Sequence, residues 1–258
     1  MATFDSLISA TKPDLGVVVP VRNESLNVEP LIAEIFYVLK DGAPFEMIFV
    51  DDGSNDETLS VLKKLMAQYP MLRVLCDEKS MGQTTAITTA VKRALAPTII
   101  TLDGDGQNDP ADIPLLLEKF AEVDKGPIDL LLVTGHRTKR RDTVVKRFSS
   151  QFANSVRSNL LNDRTPDTGC GIKVFTRSAF LDMPRFDHMH RFLPALMIRR
   201  GGRVVSVPVN HRQRERGISN YGLFDRLWVG IIDLIGVMWL LRRASNPDVE
   251  EIGPDHAS

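Results

Sequence analysis

Apolar and polar residues alternate in blocks along the first hundred residues of the chain. Four short runs rich in Val, Ile, Leu and Phe each end in a polar turn, and they span residues 15–21, 45–50, 71–76 and 96–101. The segments between them repeat apolar residues every three to four positions. The runs are typical of buried strands and the repeats of amphipathic helices. This alternation predicts βαβ units on a mostly parallel sheet, with a ligand site beyond the carboxyl ends of the strands.

The second half of the chain, from Gly126, repeats the pattern less regularly. Helical spacing is predicted at residues 144–161, 180–183 and 190–198, and strands at residues 128–133, 172–175 and 203–209. A compact turn at residues 167–171 precedes the middle strand. The fold class we predict is therefore α/β, with a single Rossmann-like domain whose central, mostly parallel sheet is flanked by helices.

Residues 223–243 form the longest apolar stretch, and they predict a C-terminal helix. The apolar core of this helix contains Asp233, and it is shorter than the roughly 20 apolar residues that span a bilayer. Its aromatic and cationic residues are Trp228, Trp239, Arg226, Arg242 and Arg243. They favour an amphipathic helix at a membrane interface, and a packed terminal helix or a dimer face explains the pattern equally well. We divide the chain into a catalytic domain (1–222), this helix and a mobile tail (244–258).

Composition and charge narrow the functional classes. The chain has 258 residues, a net charge of −1 and a pI near 6.5, which argues against nucleic-acid binding by bulk charge. Two basic clusters, residues 136–147 and 211–216, favour bound phosphates or an anionic surface, and no aromatic residues interleave the first. Only two cysteines and no secretory signal at residues 1–14 predict reduced thiols and a cytoplasmic protein.

The turn Asp103-Gly104-Asp105 follows the fourth apolar run. Two carboxylates at this spacing in an extended segment share one face, where they repel each other unless a cation lies between them. Hard oxygen ligands suit Mg²⁺ or Mn²⁺, which keep bound waters and bridge to substrate phosphates. The turn predicts a divalent metal site for a nucleotide-linked donor, although a short acidic motif also recurs by chance as a plain polar turn.

The first and second apolar runs also end in polar turns. The second ends in Asp51 and Asp52, of which one is expected to support its own loop. We assign that structural role to Asp51. Asp52 is expected to face the nucleotide, where a carboxylate can accept hydrogen bonds from a base or a ribose.

Seven segments together resemble the family 2 glycosyltransferases of the GT-A fold, close to dolichol-phosphate mannose synthases and bacterial polyprenyl-phosphate glycosyltransferases. They are VVVPVRNE (17–24), FVDDGSNDET (49–58), MGQTTA (81–86), LDGDGQNDP (102–110), DTGCGIKVF (167–175), MHRFLPAL (189–196) and VPVNHRQRERGISNYG (207–222). Chance would not place seven segments in the family's order. Two features depart from many relatives: Asn220 stands where they have lysine, and transmembrane segments are missing.

The resemblance implies an inverting transfer of a sugar from a UDP- or GDP-linked donor to a polyprenyl or dolichyl phosphate, for cell-envelope glycan or lipid modification. The implied nucleotide-binding residues are Pro20, Arg22, Glu24, Asp52, Gly82, Gln83 and Asp103. The implied metal ligands are Asp103, Asp105 and Gln107. The implied acceptor and phosphate contacts are Arg137, Arg147, Ser149, Arg212, Arg216 and Ser219, although each arginine could equally belong to a solvated basic face.

Within this mechanism the expected catalytic residues are Asp105, Arg137 and Asp167. A phosphomonoester is already largely anionic at neutral pH, so it needs no strong base, and Asp167 is an organiser, a weak base or a turn-capping residue. Arg137 would offset repulsion between the acceptor and donor phosphates. The competing functions are transfer to a glycan hydroxyl, a nucleotide-sugar-binding module without turnover, and a Rossmann oxidoreductase, which lacks its glycine motif here.

The expected partners follow from these assignments. They are a nucleotide-sugar donor, a polyprenyl-phosphate acceptor and the cytoplasmic face of a membrane, which the chain would contact peripherally. A membrane-protein partner or a homo-oligomer remains open, and no nucleic acid is expected.

Overall fold

The computed structural model describes residues 12–123, 130–138, 157–158, 160–163, 165–213 and 223–244. Its strands are β1 (Leu15–Val21), β2 (Phe45–Asp52), β3 (Leu72–Asp77), β4 (Thr98–Thr101), β5 (Leu131–Arg137), β6 (Lys173–Thr176) and β7 (Arg203–Val209). Its α-helices are α1 (Val28–Leu39), α2 (Thr58–Leu65), α3 (Gln83–Arg93), α4 (Ile113–Glu122), α5 (Arg177–Leu181), α6 (Leu193–Arg199) and α7 (Leu223–Arg242). Short 3₁₀ turns lie at Pro110–Asp112 and Met189–Arg191.

The described strands form one sheet in the order β3-β2-β1-β4-β6-β5-β7. β1 pairs in parallel with β2 on one side and with β4 on the other. β6 is antiparallel to both of its neighbours, β4 and β5. The remaining six described strands all run in the same direction. The predicted mostly parallel sheet is thereby confirmed, and the carboxyl ends of β1, β2 and β4 meet at one edge.

Helices cover both faces of the sheet because successive strand residues point to opposite sides. Val17 and Val19 of β1 pack in the same apolar cluster as buried residues of α1, α2 and α4. Val18 packs in a second cluster with buried residues of α3, α5, α6 and α7. Each buried aliphatic side chain of this kind contributes about 1.5–3 kcal/mol, so the two clusters fix the sheet from both sides.

Several boundaries differ from the prediction. β2 is longer than residues 45–50 and includes Asp51 and Asp52, because both residues keep pairing with β3. β5 ends at Arg137 rather than Val133, since its polar end pairs with β7. Helix α4 was not predicted, although Leu116 and Phe120 are buried at helical spacing.

Other predictions fall partly outside the described residues. The predicted helix at 144–161 is nearly all outside them, as is the tail at 244–258. The short helices predicted at 180–183 and 190–198 are displaced, and they are observed as α5 and as the Met189–Arg191 turn followed by α6.

Helix α7 packs one of its faces against the second apolar cluster. Val237 is 1% exposed and belongs to the second apolar cluster, with Leu234, Met238 and Leu241 partly buried against it. Arg199 of α6 donates hydrogen bonds to the carbonyl oxygens of Leu240 (2.9 Å) and Arg243 (3.2 Å) at the end of α7. Within the described residues, no helix has the length and hydropathy needed to cross a bilayer.

Candidate active site

The acidic turn after β4 packs directly against the end of β1. A Cβ atom at Gly104 would lie 2.5 Å from Cγ1 of Val21 and 2.8 Å from the carbonyl oxygen of Pro20. Such distances leave no room for a side chain at Gly104, so glycine is required for this approach. The predicted nucleotide residue Pro20 and the predicted metal residues Asp103 and Asp105 therefore occupy the same edge of the sheet.

Asp103 is held from several directions. Its Oδ1 accepts a hydrogen bond from Nε2 of Gln83 (2.8 Å), and its backbone N–H donates to Oδ1 of Asn108 (2.8 Å). A Cβ atom at Gly171, just before β6, would lie 2.1 Å from Oδ2 of Asp103. The carboxylate thus occupies space that a side chain at position 171 would fill.

The electrostatics of this turn suit a bound cation. Burial and then the charge of Asp105 raise the pKa of Asp103, while Lys173, Gln83 and Arg137 act in the opposite direction. Asp105 Oδ1 accepts a hydrogen bond from the backbone N–H of Gln107 (3.1 Å). The oxygens of Asp103, Asp105 and the Gln107 side chain are of the kind that Mg²⁺ or Mn²⁺ prefers when waters and phosphates complete the shell, and their binding of an ion stays a prediction. No cluster of three or more His, Cys, Asp or Glu side chains in the described residues could hold an ion by itself.

Asp51 and Asp52 both support loops. Asp51 accepts hydrogen bonds from the hydroxyl and the backbone N–H of Ser54, as expected for the structural member of the pair. Asp52 accepts from Oγ of Ser80 (2.7 Å) and from the backbone N–H groups of Met81 (2.6 Å) and Gly82 (3.1 Å). Its carboxylate therefore fixes the loop that begins α3, and its contact with a nucleotide stays a prediction.

The other predicted nucleotide residues surround the same edge. Glu24 is buried, and its Oε2 accepts a hydrogen bond from Nδ2 of Asn27 (2.6 Å). Arg22 is exposed at the end of β1. Gly82 has a φ of +87°, a left-handed conformation that favours glycine, and it immediately precedes Gln83.

Arg137 and Asp167, both predicted to be catalytic, form an ion pair. Nε of Arg137 donates to Oδ2 of Asp167 (2.6 Å), and its Nη2 donates to Oδ1 (2.7 Å). Burial pulls the pKa of Arg137 downward, but the hydrogen bonds and charge of Asp167 outweigh it and leave that pKa raised. The forked geometry is the strong, charge-assisted kind, so each side chain fixes the other.

Arg212 lies beside the acidic turn and is bound to carboxylates. Its guanidinium pairs with Glu34 (2.5 Å) and Asp109 (2.7 Å), and its backbone N–H donates to the carbonyl oxygen of Gln107 (3.0 Å). Binding of a phosphate by Arg212 stays a prediction. The remaining predicted acceptor contacts lie outside the described residues: Arg147, Ser149, Arg216 and Ser219.

Lys173 belongs to the site, although sequence reasoning did not single it out. It is buried in β6, its Nζ donates a hydrogen bond to the carbonyl oxygen of Cys170, and the charges of Asp103 and Asp167 act on it. Burial lowers its pKa, against those neighbouring charges. The available signal was a lysine inside the apolar run Ile172–Phe175, where a charge is costly without partners.

Comparison with characterised proteins gives close sequence relatives. Dodecaprenyl-phosphate galacturonate synthase of Rhizobium johnstonii is 33% identical over 91% of this chain and 69% of its own length. Undecaprenyl-phosphate 4-deoxy-4-formamido-L-arabinose transferase of Edwardsiella ictaluri is 31% identical over 81% of this chain. The chain spans 63% of the length of that second relative, slightly less than two thirds.

Solved structures share the fold at lower identity. Glucosyl-3-phosphoglycerate synthase from Mycobacterium tuberculosis, in complex with Mn²⁺, UDP and phosphoglyceric acid, matches with a TM-score of 0.63 and 17% identity over 95% of this chain and 82% of that one. A mannosyltransferase from Pyrobaculum calidifontis, in complex with GDP-mannose and Mn²⁺, matches with a TM-score of 0.64 and 17% identity over 95% and 71%. The family described as Glycosyl transferase family 2 matches residues 16–183. With its acidic turn at the sheet edge and this match over more than half its length, the chain belongs to glycosyltransferase family 2.

Proposed function

We propose that the protein is an inverting glycosyltransferase that moves a sugar from a nucleoside-diphosphate sugar to a polyprenyl phosphate. The observation that carries this proposal is that one turn, residues 169–171, lies against both Nη2 of Arg137 and the carboxylate of Asp103, so the acidic turn and the Arg137–Asp167 pair meet at one edge of the sheet. Carboxylates that hold a cation suit an anionic donor, and a guanidinium beside them suits an anionic acceptor. The named activities of the two sequence relatives, which concern dodecaprenyl and undecaprenyl phosphates, support the lipid acceptor.

The donor would bind along the ends of β1, β2 and β4. Pro20, Arg22, Glu24 and Asp52 are the proposed contacts for the base and ribose, and the loop before α3 closes over them through Gly82. Gln83 keeps Asp103 oriented through its 2.8 Å hydrogen bond. This arrangement would orient the diphosphate before the reaction begins, so little further entropy is lost at the moment of transfer.

Asp103, Asp105 and Gln107 are the proposed ligands of a Mg²⁺ or Mn²⁺ ion. Such an ion, when bound, neutralises negative charge that develops on the leaving nucleoside diphosphate. The chain's own contribution is to fix Asp103 beside Asp105: Gln83 donates to the Asp103 carboxylate, Asn108 accepts from the backbone N–H of Asp103, and Gly171 leaves room for Oδ2.

The acceptor site favours a phosphate nucleophile over a hydroxyl. Both oxygens of Asp167 receive N–H groups from Arg137, which stabilises the carboxylate and makes it a poor base. A phosphomonoester has its second pKa near 6 and attacks as an anion without such a base. Arg137, oriented by Asp167, is then the proposed contact that offsets repulsion between the two phosphate groups.

Helix α7 is the proposed membrane contact. Its outer face exposes Ile232 (66%), Ile235 (61%) and Trp239 (60%), which recur at helical spacing, and Arg242 and Arg243 follow. Apolar residues flanked by cations suit the surface of an anionic bilayer, where the head group of a polyprenyl phosphate lies. We therefore place the enzyme peripherally at the cytoplasmic face, with residues 1–222 as the catalytic domain. A membrane-protein partner or a second copy on this face is the alternative.

A panel assay tests the proposed function. The full chain is incubated with UDP- and GDP-sugars, Mn²⁺ and either polyprenyl phosphate or the matching polyprenol, and lipid products are identified by mass spectrometry. A sugar on the lipid phosphate with none on the alcohol is the expected result. Transfer to the alcohol alone would instead support a hydroxyl acceptor, and nucleotide binding without any product would support a non-catalytic module.

A further inference from the structure

Residues 187–191, here called the histidine segment, contact both the loop before α3 and helix α7. The segment lies between α5 and α6 and contains His188 and His190. His188 has a φ of +61°, a left-handed conformation that residues other than glycine seldom adopt. Its backbone N–H donates to Oδ1 of Asp187 (2.8 Å). An unfavourable backbone conformation of this kind persists only when surrounding contacts hold it.

Towards the donor site, the contact is made by His190. Its Nδ1 is hydrogen-bonded to Oγ1 of Thr84 at 2.7 Å. Thr84 is buried in the first turn of α3, next to Gln83, whose amide holds Asp103. The histidine segment also lies close to Gly82, the residue before Gln83, since a Cβ atom at Gly82 would lie 3.8 Å from Oδ1 of Asp187.

Towards the C-terminal helix, the contact is made by His188. Its Nδ1 lies 3.0 Å from Oδ2 of Asp233. Asp233 is the only charged residue between Leu227 and Leu241, and its side chain is largely buried. A carboxylate in such surroundings is costly unless it is paired, so the contact with His188 accounts for an aspartate in this apolar helix.

We propose that His188 and His190 are positioning residues for the nucleotide donor, anchored by Asp233 of α7. Through Thr84 they hold the first turn of α3, and that turn presents Gln83 to Asp103. The inference rests on the proposed function, because it assigns the role to the donor side of that site. Burial lowers the pKa of His190 well below its usual range, so the ring is neutral near pH 7 and its contact with the threonine hydroxyl does not depend on a charge.

Hydrogen exchange tests the link without any substrate. In the full chain, Asp233→Leu removes the partner of His188 and Thr84→Val removes the partner of His190. Both should raise exchange severalfold at the first turn of α3, where the Ala86 amide bonds the Gly82 carbonyl. Asp233→Asn keeps an acceptor for His188 and should restore the wild-type rate.

Two matched variants control for nonspecific loosening. Asp182→Leu breaks an ion pair with Arg200 outside the histidine segment, and Thr88→Val alters a threonine one turn further along α3. Neither should change exchange at the first turn of α3, and the amides of β1 should stay protected in every variant. Unchanged exchange at that turn in Asp233→Leu would overturn the inference.

Calorimetric titration with UDP and with GDP, each with MnCl₂, then tests the consequence for the donor. Loss of one net hydrogen bond predicts a Kd raised roughly 2- to 12-fold in Asp233→Leu and Thr84→Val, with both control variants at the wild-type value. Wild-type binding with unchanged variants would overturn this inference alone. Failure of the wild type to bind either nucleotide would instead count against the proposed function.

Discussion

Asp103 takes its orientation from residues in three separate segments of the chain. Gln83 begins α3, Asn108 follows the acidic turn, and Gly171 precedes β6. Gln83 and Gly171 adjoin its carboxylate and Asn108 holds its backbone N–H, while burial and the charge of Asp105 raise the pKa of that carboxylate. The charged form of Asp103 is disfavoured, yet the side chain is held firmly in place. This combination is typical of a functional residue rather than of one that stabilises the fold.

Removal of the second carboxylate tests the metal assignment. Asp105→Ala should lower sugar transfer by orders of magnitude, because it deletes a proposed ligand of the ion that stabilises the leaving diphosphate. The melting temperature should change little. Asp41→Ala, which deletes the same atoms from an exposed turn, is the control and should keep full activity. Full activity of Asp105→Ala in transfer assays would remove the metal role.

Gly171 offers a test of the second oxygen of Asp103. In Gly171→Ala the new methyl group would overlap Oδ2, so the carboxylate must move and Mn²⁺ should bind more weakly. Gly236→Ala places the same methyl group where no atom lies within 4 Å, in the middle of α7. Titration of Mn²⁺ in the presence of UDP or GDP should separate the two variants. Equal Mn²⁺ affinities would show that Asp103 does not hold the ion.

Arg137 should act on the acceptor. Arg137→Ala should raise the KM for polyprenyl phosphate by roughly 10- to 150-fold, since a charge-assisted contact contributes about 1.5–3 kcal/mol. It also leaves Asp167 without its partner, so the double variant with Asp167→Asn should regain stability but not acceptor affinity. Arg177→Ala removes a guanidinium that binds α3 carbonyls and should lower stability alone. Equal losses for donor and acceptor would place Arg137 on the diphosphate.

At the scale of elements, the sequence predicts the helices and strands whose own apolar residues repeat at regular spacing. Strands β1 to β4 and helices α1 to α3 were predictable because each pairs a local apolar pattern with a polar turn. The antiparallel direction of β6 was not, since four residues carry no information about their neighbours in the sheet.

The candidate site divides in the same way. Asp103 and Asp105 are two residues apart in the sequence and were therefore recognisable. The nearness of Lys173 to Asp103 and the contact of His190 with Thr84 were not, because only the fold brings these residues together.

Helix α7 has two apolar faces with different expected roles. Val237→Ser should lower the free energy of unfolding, because the side chain is buried in the second cluster. Ile235→Ser should leave stability unchanged and weaken binding to anionic liposomes, because that side chain is exposed and its transfer into lipid contributes about 1.5–3 kcal/mol. Sedimentation with liposomes and thermal unfolding measure both effects. Wild-type liposome binding by Ile235→Ser would redirect the outer face towards a protein partner or a second copy.

At the scale of the whole molecule, the chain is nearly neutral, but its charged site groups are gathered at one edge of the sheet. The acidic turn and the Arg137–Asp167 pair occupy the edge where parallel strands end, and the histidine segment connects that edge to α7. A lipid phosphate at a bilayer surface and a nucleotide from solution could thus meet at one site.

The most direct test of metal-dependent, inverting transfer is the configuration of the product. The full chain is given an α-linked nucleotide sugar, Mn²⁺ and polyprenyl phosphate, and the anomeric carbon is followed by NMR. In-line attack predicts a β-linked sugar phosphate that is absent with excess chelator and absent in Asp105→Ala. An α-linked product, or a product that forms unchanged in chelator, would contradict the proposed mechanism.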